Sequence, residues 1–262
     1  MNPTLSIIIP CYNSAKTAEE TFQSVINQDF TDWEAIIVND GSPDNIEEIA
    51  LKWVNKDHRF NYFKKENGGL GTARNFGINH AKGKYILPLD SDNKVESTFA
   101  KKALPILEKN PTIGVLYGDA IYFGDKDEHK VVGDFDSLKL AKTNYIDACA
   151  IIRKEVYDKI GLYDVNMPYQ GIEDWELWIK ITKSNYTFYY LNQPTYYYRI
   201  TGNSMIRSFN PKMTESNIGY LYVKHFWFFI STFWKNRKIE KKWKTLIIRT
   251  LKRTIKRLLF LI

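Results

Sequence analysis

The feature that most constrains this sequence is a set of largely apolar runs, each of which ends directly in a cluster of polar residues. Apolar runs without alternation are typical of strands that are buried on both faces, as in parallel sheets. The runs and the clusters that follow them are Leu5–Ile9 with Pro10–Asn13, Trp33–Val38 with Asn39–Ser42, and Lys84–Leu89 with Asp90–Asn93. Since ligands of such sheets bind beside the carboxyl ends of the strands, the sequence predicts one polar cleft built from three strand ends.

Helical patterns separate these runs. They predict an α/β fold with a mostly parallel, doubly wound sheet and helices on both faces. Ser14 is the predicted cap of the first helix, which would reach about Asn27. The other elements predicted for this half are helices over Pro43–Asn55, from the loop Glu66–Gly71 to His80 and over Thr98–Asn110, and strands near Phe60–Lys64 and Ile113–Tyr117.

The second half is less regular and unusually rich in tyrosine. Helices are predicted over Val156–Ile160 and Asp174–Lys183, and strands over Tyr186–Tyr190 and Thr195–Ile200. The tyrosines of the two strands have two interpretations, cross-strand aromatic packing or a platform on which a sugar stacks. Packing is the favoured one.

Two cysteines, Cys11 and Cys149, stand far apart in the 262 residues. This sparse use indicates neither a disulfide framework nor a metal cluster and favours a reducing compartment. The first residues lack the pattern of a signal peptide, and no apolar stretch reaches the roughly 20 residues that a spanning helix needs. We therefore expect a cytoplasmic protein that is at most peripheral on the inner face of a membrane.

The net charge of +7 is concentrated at the end of the chain. Residues 235–262 contain 11 Lys or Arg and one acidic residue, whereas the rest has 26 basic and 29 acidic residues. From Trp243 to Ile262 apolar residues recur every three or four positions, with basic residues between them, which predicts a basic amphipathic helix. Such a helix would bind an anionic membrane through residues 238–262, or pack on its own domain or a partner subunit. Nucleic acid is not an expected partner, because no recognition motif accompanies the basic residues.

The triplet Asp90-Ser91-Asp92 is the sharpest chemical signal. Two carboxylates so close together repel each other unless a cation neutralises them, and hard oxygen ligands suit magnesium or manganese. The alternative is a capped turn before the helix that begins near Thr98.

Further motifs follow one another along most of the chain. They are Ser6–Asn13, Val38–Ser42, Asn67–Asn75, Asp90–Asp92, Ile152–Val156 with Gly161–Asp164, and Ile172–Trp178. In this order and approximate spacing, over about Thr4–Ser208, the chain resembles the family 2 glycosyltransferases.

The resemblance implies a GT-A domain over residues 1–208, with a donor half over about 1–118 and an acceptor half over about 119–208. A helical, basic extension would cover 209–262. It also implies a nucleotide-diphosphate sugar as donor, most often a UDP-sugar, inversion at the anomeric carbon, and a divalent metal, manganese or magnesium. The donor residues that it implies are Pro10, Tyr12, Asn13, Asp40, Asn67, Gly69, Arg74, Asp90 and Ser91, with Asp40 accepting a hydrogen bond from the base. Asp92 would bind the metal, and Asp174, next to Glu173, would be the general base.

The same residues have plainer physical interpretations. Asp40 would form an Asx-turn with Gly41. Arg74 would pair with the diphosphate, or else tie its loop to a carboxylate. Glu173 and Asp174 would cap a helix through its dipole, or Asp174 would take the proton of an acceptor hydroxyl.

Two departures from the family pattern bear on mechanism. Thr201 stands where many members have a histidine ligand to the metal, so the metal would be held by Asp92, diphosphate and water. The Gln-X-X-Arg-Trp motif of processive synthases is absent. The sequence therefore predicts metal-dependent transfer of a single sugar to a saccharide or lipid-linked acceptor. The alternative is an inactive nucleotide-sugar-binding or membrane-scaffolding protein of the same fold.

Overall fold

The computed structural model describes residues 2–201 and 210–235. Its strands are β1 (Leu5–Cys11), β2 (Trp33–Asp40), β3 (Phe60–Lys65), β4 (Tyr85–Pro88), β5 (Lys94–Val95), β6 (Ile113–Gly124), β7 (Glu128–Lys130), β8 (Ile151–Arg153) and β9 (Thr187–Ile200). Its helices are α1 (Ala18–Ile26), α2 (Ile46–Lys56), α3 (Leu70–His80), α4 (Phe99–Lys109), α5 (Ser137–Lys142), α6 (Lys154–Ile160), α7 (Glu173–Ile181), α8 (Pro211–Lys224) and α9 (Phe226–Lys235). The predicted α/β class is confirmed.

Within these residues all strands belong to one sheet, in the order β3-β2-β1-β4-β8-β6-β9-β5, with β7 paired to β6. The neighbours β3, β2, β1 and β4 are all parallel. Because parallel strands end at the same edge, the polar clusters behind β1, β2 and β4 meet at that edge, as the sequence predicts.

Helices cover both faces of the sheet, which confirms the doubly wound arrangement. Successive residues of β1 alternate between two cores, since Ile7 and Ile9 pack with one cluster and Ile8 with the other. The first cluster receives side chains of α1, α2 and α4. The second receives side chains of α3, α5, α6 and α7, and also Phe229 and Phe233 of α9.

Beyond β4 the sheet changes direction. Strand β8 is antiparallel to both of its neighbours, β4 and β6. The antiparallel β8 is an element that the sequence patterns do not predict. Its consequence is that the chain entering β8 lies at the edge where β4 ends.

The two strands predicted over Tyr186–Tyr190 and Thr195–Ile200 are one long strand, β9. It pairs with β6 in parallel, and the register shifts where Gly118 faces Leu191 and Asp119 faces Pro194. The extra residues at this irregularity interrupt the alternation, which is why the sequence looks like two strands. The favoured interpretation of the tyrosines is confirmed. Tyr117 pairs with Tyr190, and Tyr122 with Tyr198, with ring centroids 5.6 Å apart in each pair.

The prediction that Ser14 caps the first helix is wrong. Helix α1 begins at Ala18 after Thr17. The Ser14 carbonyl accepts the amide hydrogens of Thr17 and Ala18, whereas its hydroxyl is buried without a partner. A backbone turn thus precedes α1, and the serine side chain makes no capping bond.

Helices α8 and α9 begin the predicted extension. They pack on the second core through residues such as Leu221 and Phe229. None of the helices in the described ranges is both long and apolar enough to cross a membrane. The amphipathic pattern over Trp243–Ile262 lies outside the described residues.

Candidate active site

Asp40 lies at the carboxyl end of β2 and organises the loop before α3. Its side chain is buried, and one carboxylate oxygen accepts the amide hydrogen of Gly69 (2.7 Å) while the other accepts that of Gly68 (3.1 Å). The Lys65 ammonium group forms an ion pair with the same carboxylate. The Asn67 side-chain amide donates to the Asp40 carbonyl oxygen (2.8 Å) and, more weakly, to the carboxylate (3.4 Å).

These contacts decide one alternative and constrain another. The Asx-turn at this strand end is made by Asn39, whose side chain accepts the Ser42 amide hydrogen (2.8 Å), and not by Asp40. A carboxylate offers about four acceptor positions, and the Asp40 carboxylate already has that many donors around it. A base would therefore bond to Asp40 only by replacing one of them.

Gly69 connects this loop to the segment that precedes α7. Its φ of 87° lies in the left-handed region that favours glycine. A Cβ atom at Gly69 would lie only 1.9–2.2 Å from the amide group of Gln170, whose nitrogen donates to the Gly68 carbonyl oxygen (3.1 Å). Glycine is thus required both by the backbone conformation and by the close approach of Gln170.

Arg74, on α3, joins the strand end of β4 to the start of α7. Its buried guanidinium donates to Asp90 (2.6 Å) and to Glu173 (2.9 Å). Glu173 also accepts the amide hydrogen of Gly171 (2.7 Å). Of the two interpretations of Arg74, the structure shows the one in which it pairs with carboxylates. Its Nε is buried without a hydrogen-bond partner.

Asp92 lies two residues beyond Asp90 and is open to solvent within the cleft. The surrounding protein lowers its hydration and Asp90 adds a like charge, which together raise the pKa of Asp92 to about 6. Arg199 of β9 fixes the backbone here, because its Nε donates to the Asp92 carbonyl oxygen (2.9 Å). The segment that ends at Thr201 is therefore brought next to Asp92; Gly202–Ser204 lie outside the described residues.

Ser91 and Asp92 lie in a turn, as the alternative interpretation expects, but neither Asp90 nor Asp92 caps α4. Helix α4 begins at Phe99, and the carboxylate at its start belongs to Glu96, which accepts the amide hydrogen of Thr98 (2.8 Å). The carboxylates of the two aspartates are thus not used to cap α4.

A hard divalent cation fits this donor set. Asp92 presents carboxylate oxygens to solvent beside a second carboxylate, and a cation would relieve their repulsion. Among the described residues no three His, Cys, Asp or Glu side chains converge closely enough to hold a metal ion. The remaining ligands would have to come from substrate and water.

Asp174 lies in the first turn of α7 and is buried. The Asn144 amide is 2.9 Å from each of its carboxylate oxygens, and the Trp175 amide hydrogen is also donated to it (2.8 Å). Burial, and next the negative charge of Glu173, raise the pKa of Asp174 to about 7. The N-cap of α7 is Ile172, but Glu173 and Asp174 lie in the first turn, where the helix dipole favours acidic residues, as the alternative interpretation expects.

The sequence motifs do not include two polar residues of the site, Asn144 and Asp147. The Asp147 carboxylate accepts the amide hydrogen of Cys149 (2.9 Å), and burial and the charge of Asp90 raise its pKa. Asp147 precedes the apolar run that becomes β8. Because β8 is antiparallel to β4, the residues that enter it lie at the edge where β4 ends, a position that the sequence does not reveal.

The other predicted donor residues behave differently from one another. Tyr12 is half-exposed just beyond β1, and Asn13 has a φ of 53° and donates its amide hydrogen to the Ser42 hydroxyl (2.8 Å). Pro10 is buried inside β1. The buried Ser91 contributes a carbonyl oxygen to the Thr17 hydroxyl (2.9 Å). Only Tyr12 and Asn13 of these four lie at the surface of the cleft.

Hydrogen bonds thus connect Asp40 to Gly68 and Gly68 to Gln170, and the next residue, Gly171, connects through Glu173 and Arg74 to Asp90. The family model that matches the chain is "Glycosyl transferase family 2", over residues 6–161, which is more than half of the sequence. The chain belongs to the family 2 glycosyltransferases.

A curated relative supports this membership. An uncharacterized glycosyltransferase of Rickettsia typhi is 33% identical over 200 residues, which is 72% of this family 2 chain and 61% of the relative. A second, from Rickettsia bellii, is 33% identical over 187 residues, and only 26% of its length is matched. This chain therefore spans less than two thirds of the first curated relatives that it matches.

Solved structures confirm the predicted GT-A fold. Residues 1–349 of Staphylococcus aureus TarS, in complex with UDP-GlcNAc, match with a TM-score of 0.72 and 20% identity over 98% of this chain and 81% of that one. The mannosyltransferase PcManGT of Pyrobaculum calidifontis, in complex with GDP-Man and Mn²⁺, matches with a TM-score of 0.61 and 15% identity, over 97% and 81%. At these identities the likeness shows the fold.

Proposed function

We propose that this family 2 chain is an inverting glycosyltransferase that moves a single sugar from a nucleotide-diphosphate sugar, with UDP as the nucleotide, to an acceptor hydroxyl. The observation that carries the proposal is the buried Asp174 carboxylate. Asn144 orients it, its pKa of about 7 suits a general base, and Glu173 and Arg74 connect it to Asp90. The complex of TarS with UDP-GlcNAc supports UDP as the nucleotide, and the complex of PcManGT with GDP-Man supports only the broader class of nucleotide-diphosphate sugars.

In the proposed reaction Asp174 removes the proton of the acceptor hydroxyl as that oxygen attacks the anomeric carbon of the donor. The bond from this carbon to the diphosphate oxygen breaks, and its electron pair leaves with the diphosphate. Attack opposite the leaving group inverts the configuration, as in inverting glycoside hydrolysis, with the acceptor in place of water. Arg74 holds Asp90 and Glu173 in place around the reacting centre.

We assign the divalent metal, manganese or magnesium, to Asp92, with Asp90 nearer the donor. When bound there, the cation would neutralise the charge of the leaving diphosphate. We further propose that Tyr12, Asn13, Asn67 and Gly69 form the protein side of the donor pocket. Asp40 would hold the loop that carries Asn67 and Gly69, or receive the base after one of its present donors moves.

The acceptor is proposed to be a saccharide or a lipid-linked precursor, reached from the cytoplasmic side of a membrane. Residues 1–208 would form the transferase and 209–262 the extension. The basic stretch 238–262 would bind the anionic membrane. No observation on the described residues favours nucleic acid.

The test is release of UDP from UDP-sugars in the presence of Mn²⁺, with a panel of acceptors. Asp174→Asn should lower kcat by roughly 10²- to 10⁴-fold, because the variant cannot take the proton. The matched control is Asp158→Asn, an exposed carboxylate on α6, which should leave turnover unchanged. Equal turnover by Asp174→Asn and the control would contradict the proposal. If the wild type bound UDP but released none from any UDP-sugar, an inactive sugar-binding protein would be favoured instead.

A further inference from the structure

The outer side of the last two described helices carries an aromatic surface that the active site does not use. We call it the tryptophan face, formed by Val223, Trp227, Ile230 and Trp234. Trp227 and Trp234 are 77% and 80% exposed, and Val223 is 43% exposed. Spacings of three, four and seven residues place these side chains on one side of a continuing helical path.

The opposite side of α9 is already covered by protein. Phe229 and Phe233 pack into the second core and are only 2% and 6% exposed. Helix α9 is therefore apolar on both sides, which is unusual for a helix that borders water. The inner side explains how α9 is held, whereas on the outer side no contact among the described residues buries Trp227 or Trp234.

The other tryptophans of the described residues show the contrast. Trp33, Trp53, Trp175 and Trp178 are at most 7% exposed. Two large aromatic side chains at 77% and 80% exposure, seven residues apart, form a patch, whereas a single exposed apolar side chain needs no explanation. The indole ring has an apolar body and a polar N–H group, a combination that suits the boundary between lipid and water.

The charge around the face selects the partner. Helix α9 contains no acidic residue and ends in Lys235. The sequence that follows from Lys235 to Ile262 has 11 basic residues and one acidic residue. An aromatic surface that continues into basic sequence is complementary to anionic lipid headgroups above an apolar layer.

The same helices are attached to the acceptor side of the active site. Asn217 of α8 forms two hydrogen bonds of 2.9 Å with the backbone of Tyr169, one to the amide and one to the carbonyl group. Tyr220 and Lys224 both donate to the Asp164 carboxylate. A surface that holds α8 and α9 would therefore also fix the segment that leads to Asp174.

We infer that the tryptophan face docks on an anionic lipid bilayer, with Trp227 and Trp234 inserted at the level of the headgroups. The biological role of this docking rests on the proposed function, since docking would bring the active site to a lipid-linked acceptor. The tryptophan face would thus be a second membrane-binding surface, within the described residues, in addition to residues 238–262. The binding itself does not depend on catalysis.

The experiment is vesicle flotation of the full chain with phosphatidylcholine vesicles that contain or lack phosphatidylglycerol. The wild type should bind the anionic vesicles. Trp227→Ser with Trp234→Ser should weaken this binding by roughly ten-fold or more, because two large aromatic side chains no longer leave water. The conservative pair Trp227→Phe with Trp234→Phe should retain most of the binding.

The matched control is Leu51→Ser, which removes an exposed apolar side chain (43% exposed) from α2, on the opposite side of the sheet. It should bind vesicles like the wild type. Circular dichroism and thermal melting of the Trp→Ser pair should match the wild type, since neither side chain is in a core. The tryptophan fluorescence of the wild type should shift to shorter wavelength when anionic vesicles are added. The Trp→Ser pair should not show this shift.

Three results would overturn the inference. The Trp→Ser pair could bind vesicles as the wild type does, which would assign binding to the basic tail alone. Light scattering could show a wild-type dimer that the pair converts to a monomer, with no vesicle binding by either, which would make the face a contact between two copies. The wild type could bind duplex DNA more tightly than the vesicles, and the Trp→Ser pair could lose this DNA binding.

Failure of the inference is distinguishable from failure of the proposed function. The Trp→Ser pair should still release UDP from a UDP-sugar in solution, whereas Asp174→Asn should lose turnover and still bind vesicles.

Discussion

At the scale of single residues, the chemistry depends on carboxylates whose surroundings raise their pKa towards neutral pH. Burial and the charge of Glu173 raise the pKa of Asp174 to about 7, and lowered hydration and the charge of Asp90 raise the pKa of Asp92, which is open to solvent, to about 6. Opposing this, Asn144 donates to the charged form of Asp174. A general base with a pKa near the working pH combines a sufficient deprotonated fraction with useful basicity.

This balance predicts the pH dependence of turnover. Since the base must be deprotonated, kcat/KM should rise with pH and level off above about 7, the pKa of Asp174. Asn144→Ala removes a donor that stabilises the carboxylate, so it should move the rising limb to higher pH and lower turnover at neutral pH. The pH profiles of the two proteins with one UDP-sugar and acceptor check this. The control is Asn192→Ala, on β9. An unchanged limb in Asn144→Ala would show that Asp174 is not the group that titrates.

At the scale of elements, contacts of the extension with Glu176 hold the first turn of helix α7. The Glu176 carboxylate is fully buried and lies 2.9 Å from both the Lys224 ammonium group and His225 Nε2. Although burial opposes it, the hydrogen bond from His225 and the nearby lysines lower the pKa of Glu176. Burial lowers the pKa of His225. A single buried carboxylate thus connects the helix of Asp174 to the junction of α8 and α9.

The charge of Glu176 should therefore be important for stability. Glu176→Gln removes the counter-charge of the partly exposed Lys224 and weakens the bond to the buried His225, which should cost about 1–3 kcal/mol. Urea unfolding at neutral pH measures the loss in the free energy of unfolding. Glu155→Gln, an exposed acid on α6, is the control and should change stability by less than about 0.5 kcal/mol. A Glu176→Gln variant as stable as this control would mean that the cluster does not hold the helices together.

At the scale of the whole molecule, the order of strands and helices in the first half could be predicted because local pattern and topology agree there. Apolar runs give buried strands, and parallel strands bring Asn13, Asp40 and Asp90 to one edge. The reversal at β8 could not be predicted, because three residues carry too little pattern to give a direction. Asp147 and Asn144 were missed for that reason.

The contacts between the residues of the site also could not be predicted from the sequence. Motif order indicates that Arg74 and Asp40 matter, but it does not reveal that Arg74 joins Asp90 to Glu173 or that Asp40 holds Gly68 and Gly69. These pairs are 16 to 99 residues apart along the chain, so only the folded geometry defines them.

The central claim is that carboxylates at this edge of the sheet bind a divalent cation that grips a diphosphate. The most direct measurement is calorimetric titration of UDP into the protein with Mn²⁺ and with a chelator, for the wild type, Asp92→Asn and the control Asp158→Asn. We expect Mn²⁺ to strengthen UDP binding at least ten-fold in the wild type and the control, and we expect Asp92→Asn to remove this gain. Equal binding with Mn²⁺ and with chelator in the wild type, or an undiminished gain in Asp92→Asn, would contradict it.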